Sequence, residues 1–385
     1  MAKVKKAKRK NQYLDYTLLT VVLFLLCIGL VMLYSVSSYD ANLTFNDSTY
    51  YIKSQFKNTL FGLALMFVVM NIDYHRMEKY YLIVYAVSAV LIILVLTPLG
   101  VEANGARRWL DLGVSLQPAE VAKLGVIIYS ASKVCRMGQR RLSTPRGLVQ
   151  LFAPSAVIAA MVLFITDNLS SAIIIFCISA VMVYVSTPGY RTYVIIILAG
   201  VLAVSLVILF VSKGWIPEFL MGTKNEFRIE RIKAWLHPES YAANKAFQTI
   251  QALYAIGSGG IFGKGLGESL QKQFVPEAQN DMIFAIICEE LGLFGAILIM
   301  ALFVVLLWRI LDIVLHANDM FGAMLAVGVL AHIAIQVILN LAVVTNTIPN
   351  TGISLPFISF GGSSVVFLLI EIGVVISVGR NTVYE

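Results

Sequence analysis

Apolar runs, each long enough at about 20 residues to cross a hydrocarbon layer of roughly 30 Å, recur from Tyr16 to Val378. Lipid offers no partner to backbone N–H and C=O groups, so such runs must close their hydrogen bonds within themselves as helices. With 59% hydrophobic and only 13% charged residues and a mean hydropathy of +0.82, the 385-residue chain has the composition of an integral membrane protein and not of a soluble domain. Ten spans are expected, over 16–36, 57–72, 80–97, 119–134, 148–165, 170–186, 193–212, 284–307, 320–343 and 363–379. The fold class is therefore an all-α polytopic membrane protein, a single transmembrane domain over 16–380 behind a basic tail, 1–15.

Charge fixes the sidedness. Six of the first ten residues are Lys or Arg, no small-residue cleavage site follows, and the next apolar run is full length, so the tail stays in the cytoplasm before a retained first span. Lys133, Arg136, Arg140, Arg141 and Arg146 then crowd one short loop on the same side, and an even number of spans returns the carboxyl end there. The net charge of +7 is thus sorted by membrane side, which argues against nucleic acid as a partner. Segment 213–283, between spans seven and eight, is the large extracytoplasmic loop; at its length it is translocated whatever its charge. Trp109 and Trp215 at outer span ends and Trp308 at an inner one fit an interfacial belt. Cys27, Cys135, Cys177 and Cys288 have no paired or metal-ligand spacing.

Three segments emerge on the outer face: 98–118, 213–283 and 345–362. Within the second, Gln271–Gly295 places Glu277, Asp281, Glu289 and Glu290 in or beside the start of a span, where charge is costly. Asp281 is the candidate catalytic acid. The plain alternative is a helix N-cap, since Asn280-Asp281 precedes an apolar helix; against it, Pro276-Glu277 already offers a start signal. At about 100° per residue, Glu289 lies about 80° round and roughly 12 Å deeper, and Glu290 nearly opposite, so these acids form no close dyad with Asp281 and read as structural.

In 104–123, Arg107 and Arg108 are either interfacial anchors or a phosphate clamp, because guanidinium forks match phosphate oxygens. Glu120 and Lys123, at i and i+3 after Pro118, are either an ion pair or a site wall. The run 255–269 is rich in glycine but has Ser258 and Gly265 where a Walker loop needs Gly and Ser or Thr. It reads instead as a turn system that brings backbone close to a substrate, with Lys264 available to an anion. Asp167, Gln248, Gln336, Asn340 and Glu371 complete the polar positions of an outward cavity. The proline- and glycine-bearing segment 345–362 should leave the helix and stay at the membrane, which requires burial in protein.

These residues resemble the SEDS family, the polytopic FtsW, RodA and SpoVE proteins. Three ordered blocks carry the likeness: 104–123, the glycine run leading through Val275-Pro276-Glu277 to Asp281 and on to Glu289-Glu290-Leu291-Gly292, and 348–364; Arg231, Pro238 and Gln248 match between them. The resemblance implies a processive peptidoglycan glycosyltransferase that polymerises lipid II at the outer face of the bacterial cytoplasmic membrane, with Asp281 in the essential acidic position. It implies a class B penicillin-binding protein as transpeptidase partner, among other divisome or elongasome proteins. Gln279-Asn280-Asp281 stands where many members have His-Thr-Asp, which removes a His neighbour, and Thr166-Asp167-Asn168 where many have Pro-Asp-Leu; the carboxyl-terminal block looks more like the division and sporulation branch.

On this reading Asp281 takes the acceptor proton, with Glu277 shaping its loop, and Arg107, Arg108, Lys123 or Lys264 steadies the departing pyrophosphate. No cofactor is spelled out; a divalent cation, Mg or Mn, could share that last task, and the metal is left open. A different class is a lipid-linked precursor flippase or transporter with Asp281 as an ion site, and a third is a silent scaffold. No inverted repeat is visible and the unusual residues gather outside the midplane, which disfavours transport.

Overall fold

The computed structural model describes residues 14–381 apart from 104–105, 112, 114, 143, 242–245 and most of 188–222. Twelve helices are described: α1 Tyr16–Phe45, α2 Tyr50–Met70, α3 His75–Lys79, α4 Tyr81–Leu94, α5 Pro118–Leu142, α6 Pro145–Ile165, α7 Leu169–Ser186, α8 Thr223–Leu236, α9 Phe247–Ser258, α10 Ile283–Leu315, α11 Met320–Val344 and α12 Gly362–Arg380. Among the described residues α1, α6, α7, α10, α11 and α12 are long and apolar enough to cross a membrane. The spans expected at 57–72, 80–97 and 119–134 fall on α2, α4 and α5, which are more polar or, for the 14-residue α4, shorter. The span expected at 193–212 and Trp215 lie outside the described residues, as does nearly all of the tail.

Local sequence sets the helix starts. Asp15, Thr144, Asn168 and Asp319 each accept a backbone N–H of the first turn of α1, α6, α7 and α11, the side-chain caps that short polar residues provide. Asp15 also takes Arg309 Nη2 at 2.7 Å, so one carboxylate caps α1 and ties it to the far end of α10.

Helix α12 is the axis of the bundle. It lies along α2 and against α11 and α5, and nearly every residue from Ser363 to Gly379 is at most partly exposed. Around it the segment 346–361 runs without regular helix, yet Ile353, Leu355, Phe357 and Ile358 are 0–3% exposed. Irregular backbone at this depth is stable because protein covers it. The cover is close at Gly29 of α1, where a Cβ would lie 2.6 Å from the Phe357 carbonyl oxygen.

One feature amends the all-α expectation. Segment 98–116 forms a three-stranded antiparallel sheet, β1 Gly100–Ala103, β2 Ala106–Asp111 and β3 Ser115–Leu116, in that order. The first pair of strands sets Glu102 against Arg107 and Ala103 against Ala106, too short a pattern to separate from a polar loop in the sequence.

Between α11 and α12 lies a pair the sequence does not announce: His332 Nδ1 sits 2.7 Å from Glu371 Oε2, at 1% and 0% exposure. His332, Gln336 and Asn340 follow at i, i+4 and i+8, one polar stripe on an otherwise apolar helix.

Candidate active site

Asp281 sits one residue before the cap of α10 and is 8% exposed. It is no N-cap: Met282 holds that position and no side chain caps the helix. The carboxylate instead receives Gln248 Nε2 of α9 on Oδ1 at 3.1 Å. Gln248 also donates to the Pro276 carbonyl at 3.0 Å and accepts Asn350 Nδ2 at 2.9 Å, so α9, the loop before α10 and the loop after α11 meet at one amide. Beneath, Asn340 spends both amide hydrogens on the Asp281 and Ile353 carbonyls, at 2.8 and 2.7 Å. Gln336 donates to the Ser354 carbonyl at 3.0 Å in the same stripe.

Burial pushes the Asp281 carboxyl up to about 6, helped by the negative charge of Glu277 and opposed by a hydrogen bond from its own backbone N–H and, less strongly, by Arg231 and Gln248. Glu277 is itself at positive φ, with Asn280 Nδ2 on its Oε2 at 3.0 Å, and shapes the turn that delivers Asp281. Arg231 of α8 has no role assigned by the sequence beyond its match to the family. Its guanidinium donates to the Asn350 carbonyl at 3.2 Å, and it is held below the ordinary arginine range by burial and by Arg108 nearby, against the pull of Asp281. Arg108 of β2 donates to the Asp167 carbonyl at 3.0 Å; burial lowers it, while Asp167 and Glu277 counter. Its Nε is buried with no hydrogen-bond partner. Two desolvated guanidiniums close enough to disfavour each other, with an acid beside Arg231, concentrate positive charge suited to an oxyanion.

The other basic candidates are engaged elsewhere. Arg107 is exposed and lies 3.7 Å from Glu102. Lys123 meets Glu120 at 2.8 Å with 2% and 6% side-chain exposure, which gives the ion-pair reading and leaves no access for a phosphate. Lys264 lies 2.6 Å from Glu289 Oε1, so the expectation that it waits for an anionic substrate is corrected.

The glycine run is corrected with it, because its backbone approaches α10 and not a substrate. At Gly292 the helix breaks, at φ 68° and ψ −168°. Lys264 and Gly265 donate to the Glu289 and Glu290 carbonyls, and Leu293 and Phe294 donate back to the Gly260 and Ile261 carbonyls, all at 2.9–3.1 Å. A Cβ at Gly263 would overlap the Glu290 carbonyl oxygen. Glu289 collects Lys264, Ser258, Ser269 and the N–H groups of Leu270 and Gln271, and Glu290 takes Ser35 at 2.7 Å and Lys272 at 3.6 Å. Both acids therefore hold the loop and helix together, away from Asp281. The His332–Glu371 pair is reachable from sequence only as two separate polar interruptions of apolar spans.

Comparison with known proteins agrees with this architecture. The family model described as "Cell cycle protein", covering FtsW, RodA and SpoVE, matches residues 16–384. Stage V sporulation protein E of Bacillus subtilis is 38% identical over 374 residues, 96% of this chain and 98% of that protein. A probable peptidoglycan glycosyltransferase FtsW of Trichlorobacter lovleyi is 35% identical, over 98% of this chain and 96% of its own length. Among solved structures, a chain of a peptidoglycan synthase complex studied for the coordination of polymerization and crosslinking superposes with a TM-score of 0.77 at 25% identity, covering 97% of this chain and 99% of that one. The rod shape determining protein RodA of Thermus thermophilus has the same fold, with a TM-score of 0.68 at 24% identity over 97% and 98% of the two chains.

Proposed function

The chain belongs to the cell cycle protein family of FtsW, RodA and SpoVE, and on that premise we propose that this multi-pass membrane protein polymerises peptidoglycan glycan strands from lipid II. The reading rests on one observation: a buried carboxylate, Asp281, held by one side-chain amide and raised towards neutrality, next to two desolvated arginines. A group poised near pH 6 accepts a proton efficiently at the pH of its surroundings.

In the proposed reaction the acceptor sugar hydroxyl attacks the anomeric carbon of the donor with inversion. The new C–O bond forms as the anomeric C–O bond to undecaprenyl pyrophosphate breaks, and the hydroxyl proton passes to Asp281. Arg108 and Arg231 steady the charge that grows on the leaving pyrophosphate, where their partial removal from water makes fixed positive charge more effective. Asn340, Gln248 and Glu277 hold Asp281 in place. Among the described residues no three His, Cys, Asp or Glu side chains converge as a metal site.

The accompanying topology has ten spans, a cytoplasmic tail over 1–15, both termini in the cytoplasm and segment 213–283 outside, which puts Asp281 at the outer face of the bacterial cytoplasmic membrane. A class B penicillin-binding protein is the proposed partner, receiving the nascent strand for crosslinking. The deciding experiment is polymerisation of lipid II by purified protein in detergent, with and without that partner. Polymer from the wild type and none from correctly inserted Asp281→Asn supports the reading; equal polymer from both overturns it. Detergent removes the membrane a flippase would need, so product there also excludes transport as the sole activity.

A further inference from the structure

We propose that the cavity between α8, α9 and the segment after α11 is a subsite for one sugar ring of the acceptor strand, with Trp235 as its platform. This rests on the glycosyltransferase reading above. The cavity encloses about 240 Å³ and is lined, among others, by Arg231, Trp235, Phe247, Gln248, Asn346 and Asn350. A pyranose ring has an apolar face of C–H groups and a rim of hydroxyls. It is recognised by an aromatic surface beside planar amides and guanidiniums, the mixture found here. The volume falls just below the roughly 300 Å³ at the lower end of drug-sized sites, so it accommodates one ring, with the rest of the substrate continuing out of its open side.

The walls are fixed in advance. Trp235 Nε1 donates to the Asn346 carbonyl at 2.9 Å, which orients the indole. Asn350 is held through both ends of its amide, by Gln248 Oε1 at 2.9 Å and the Gly352 N–H at 3.0 Å. Preorganised walls reduce the ordering cost of binding. Gln248 is at once a wall of the cavity and the donor to Asp281, so a ring seated there lies one side chain from the base. Of the two arginines assigned to the leaving group, Arg231 lines the cavity and Arg108 does not, so the cavity borders the pyrophosphate position without including all of it. The contact from Gln248 to Asp281 gives it to the sugar that supplies the hydroxyl.

The test varies donor and acceptor separately in the full-length protein. Lipid II whose accepting hydroxyl is blocked serves as donor, since it can donate but cannot accept, and an analogue whose anomeric oxygen is replaced by carbon serves as acceptor, since it can accept but cannot donate. Trp235→Ala is expected to raise the acceptor KM about tenfold or more while donor KM and kcat move less than about threefold. Trp235→Phe, which keeps a ring and loses the N–H, should restore most of the acceptor KM. An unchanged acceptor KM, equal rises for both substrates, or a Phe variant as poor as Ala overturns the subsite; the last would assign the effect to the Asn346 anchor. Binding is read independently by saturation-transfer NMR of a soluble N-acetylated peptidoglycan disaccharide on the inactive Asp281→Asn protein. A saturation-transfer signal that disappears when Trp235→Ala is added supports the site even if the wild type makes no polymer, which sinks the enzyme reading alone. A wild type that polymerises while both Trp235 variants match it in acceptor KM sinks the subsite alone.

Discussion

Asp281 and Glu289 are eight residues apart in one sequence block and both are buried, yet their surroundings are opposite. Glu289 has five donors, among them the Lys264 ammonium. Asp281 has the Gln248 amide and its own backbone N–H, and sits under a desolvation load that raises it to about 6. A carboxylate satisfied on all sides is a fastener, because its charge is most stable where it is. One with fewer donors and a raised pKa takes a proton more readily, which is what makes Asp281 the candidate of the two.

The largest expected break in this contrast is kinetic. Asp281→Asn should lower the rate of glycan synthesis by about 10²–10⁴-fold, measured as lipid II consumption, the scale of a lost general base; Glu289→Gln at equal folded concentration should stay within about threefold.

Stability should run the other way. Glu289→Gln exchanges a paired charge for an amide beside Lys264, which is partly exposed and so softens the loss, expected at about 1–3 kcal/mol by thermal unfolding in detergent. Gly263→Ala should cost as much or more, since its φ of +78° and the overlap of the added carbon with the Glu290 carbonyl both oppose a side chain. For Asp281 the sign reverses. Its folded pKa lies above the unfolded value of 3.8, so the native state binds the proton more tightly and loses stability as pH rises through about 6. Relieved of that charge, Asp281→Asn should melt higher than wild type at pH 7.5, by up to about 3 kcal/mol.

Smaller effects come from pH. Asp281 must be ionised to act, so kcat/KM should climb tenfold per unit below pH ~6 and level off above it, and at pH 5 should be about one-tenth of the plateau. That limb should vanish in Asp281→Asn. The finest test is Gln248→Leu. Removing a donor that favours the carboxylate should move the limb to higher pH by less than about one unit, without abolishing synthesis.

How far the sequence reaches follows from the range of each signal. Helices are readable because each apolar run declares itself locally, and Asp281 is singled out as a candidate because a charge before a span is rare. Arg231 escapes a role because basic residues in a long segment between spans are common. The sheet at 100–116 escapes because its strands are two to six residues long. Lys264 misleads for a different reason: its partner, Glu289, is 25 residues away, and only the break at Gly292 folds the glycine run back onto the helix. His332 meets Glu371 across 39 residues, a pairing no local pattern encodes.

That fold-back bears on how the chain tolerates engineering. Glycine-rich segments at loop tips are ordinarily where tags, protease sites and inserted domains are accepted. Here the backbone of 260–265 completes the hydrogen bonds of a helix opened at Gly292 beside Leu293 and Phe294, which are 55% and 67% exposed on an apolar helix. An insertion between Gly260 and Gly265 would break four backbone hydrogen bonds at once and leave the opened helix without its partners. The segment that looks most like a linker is therefore among the poorest places to cut this protein.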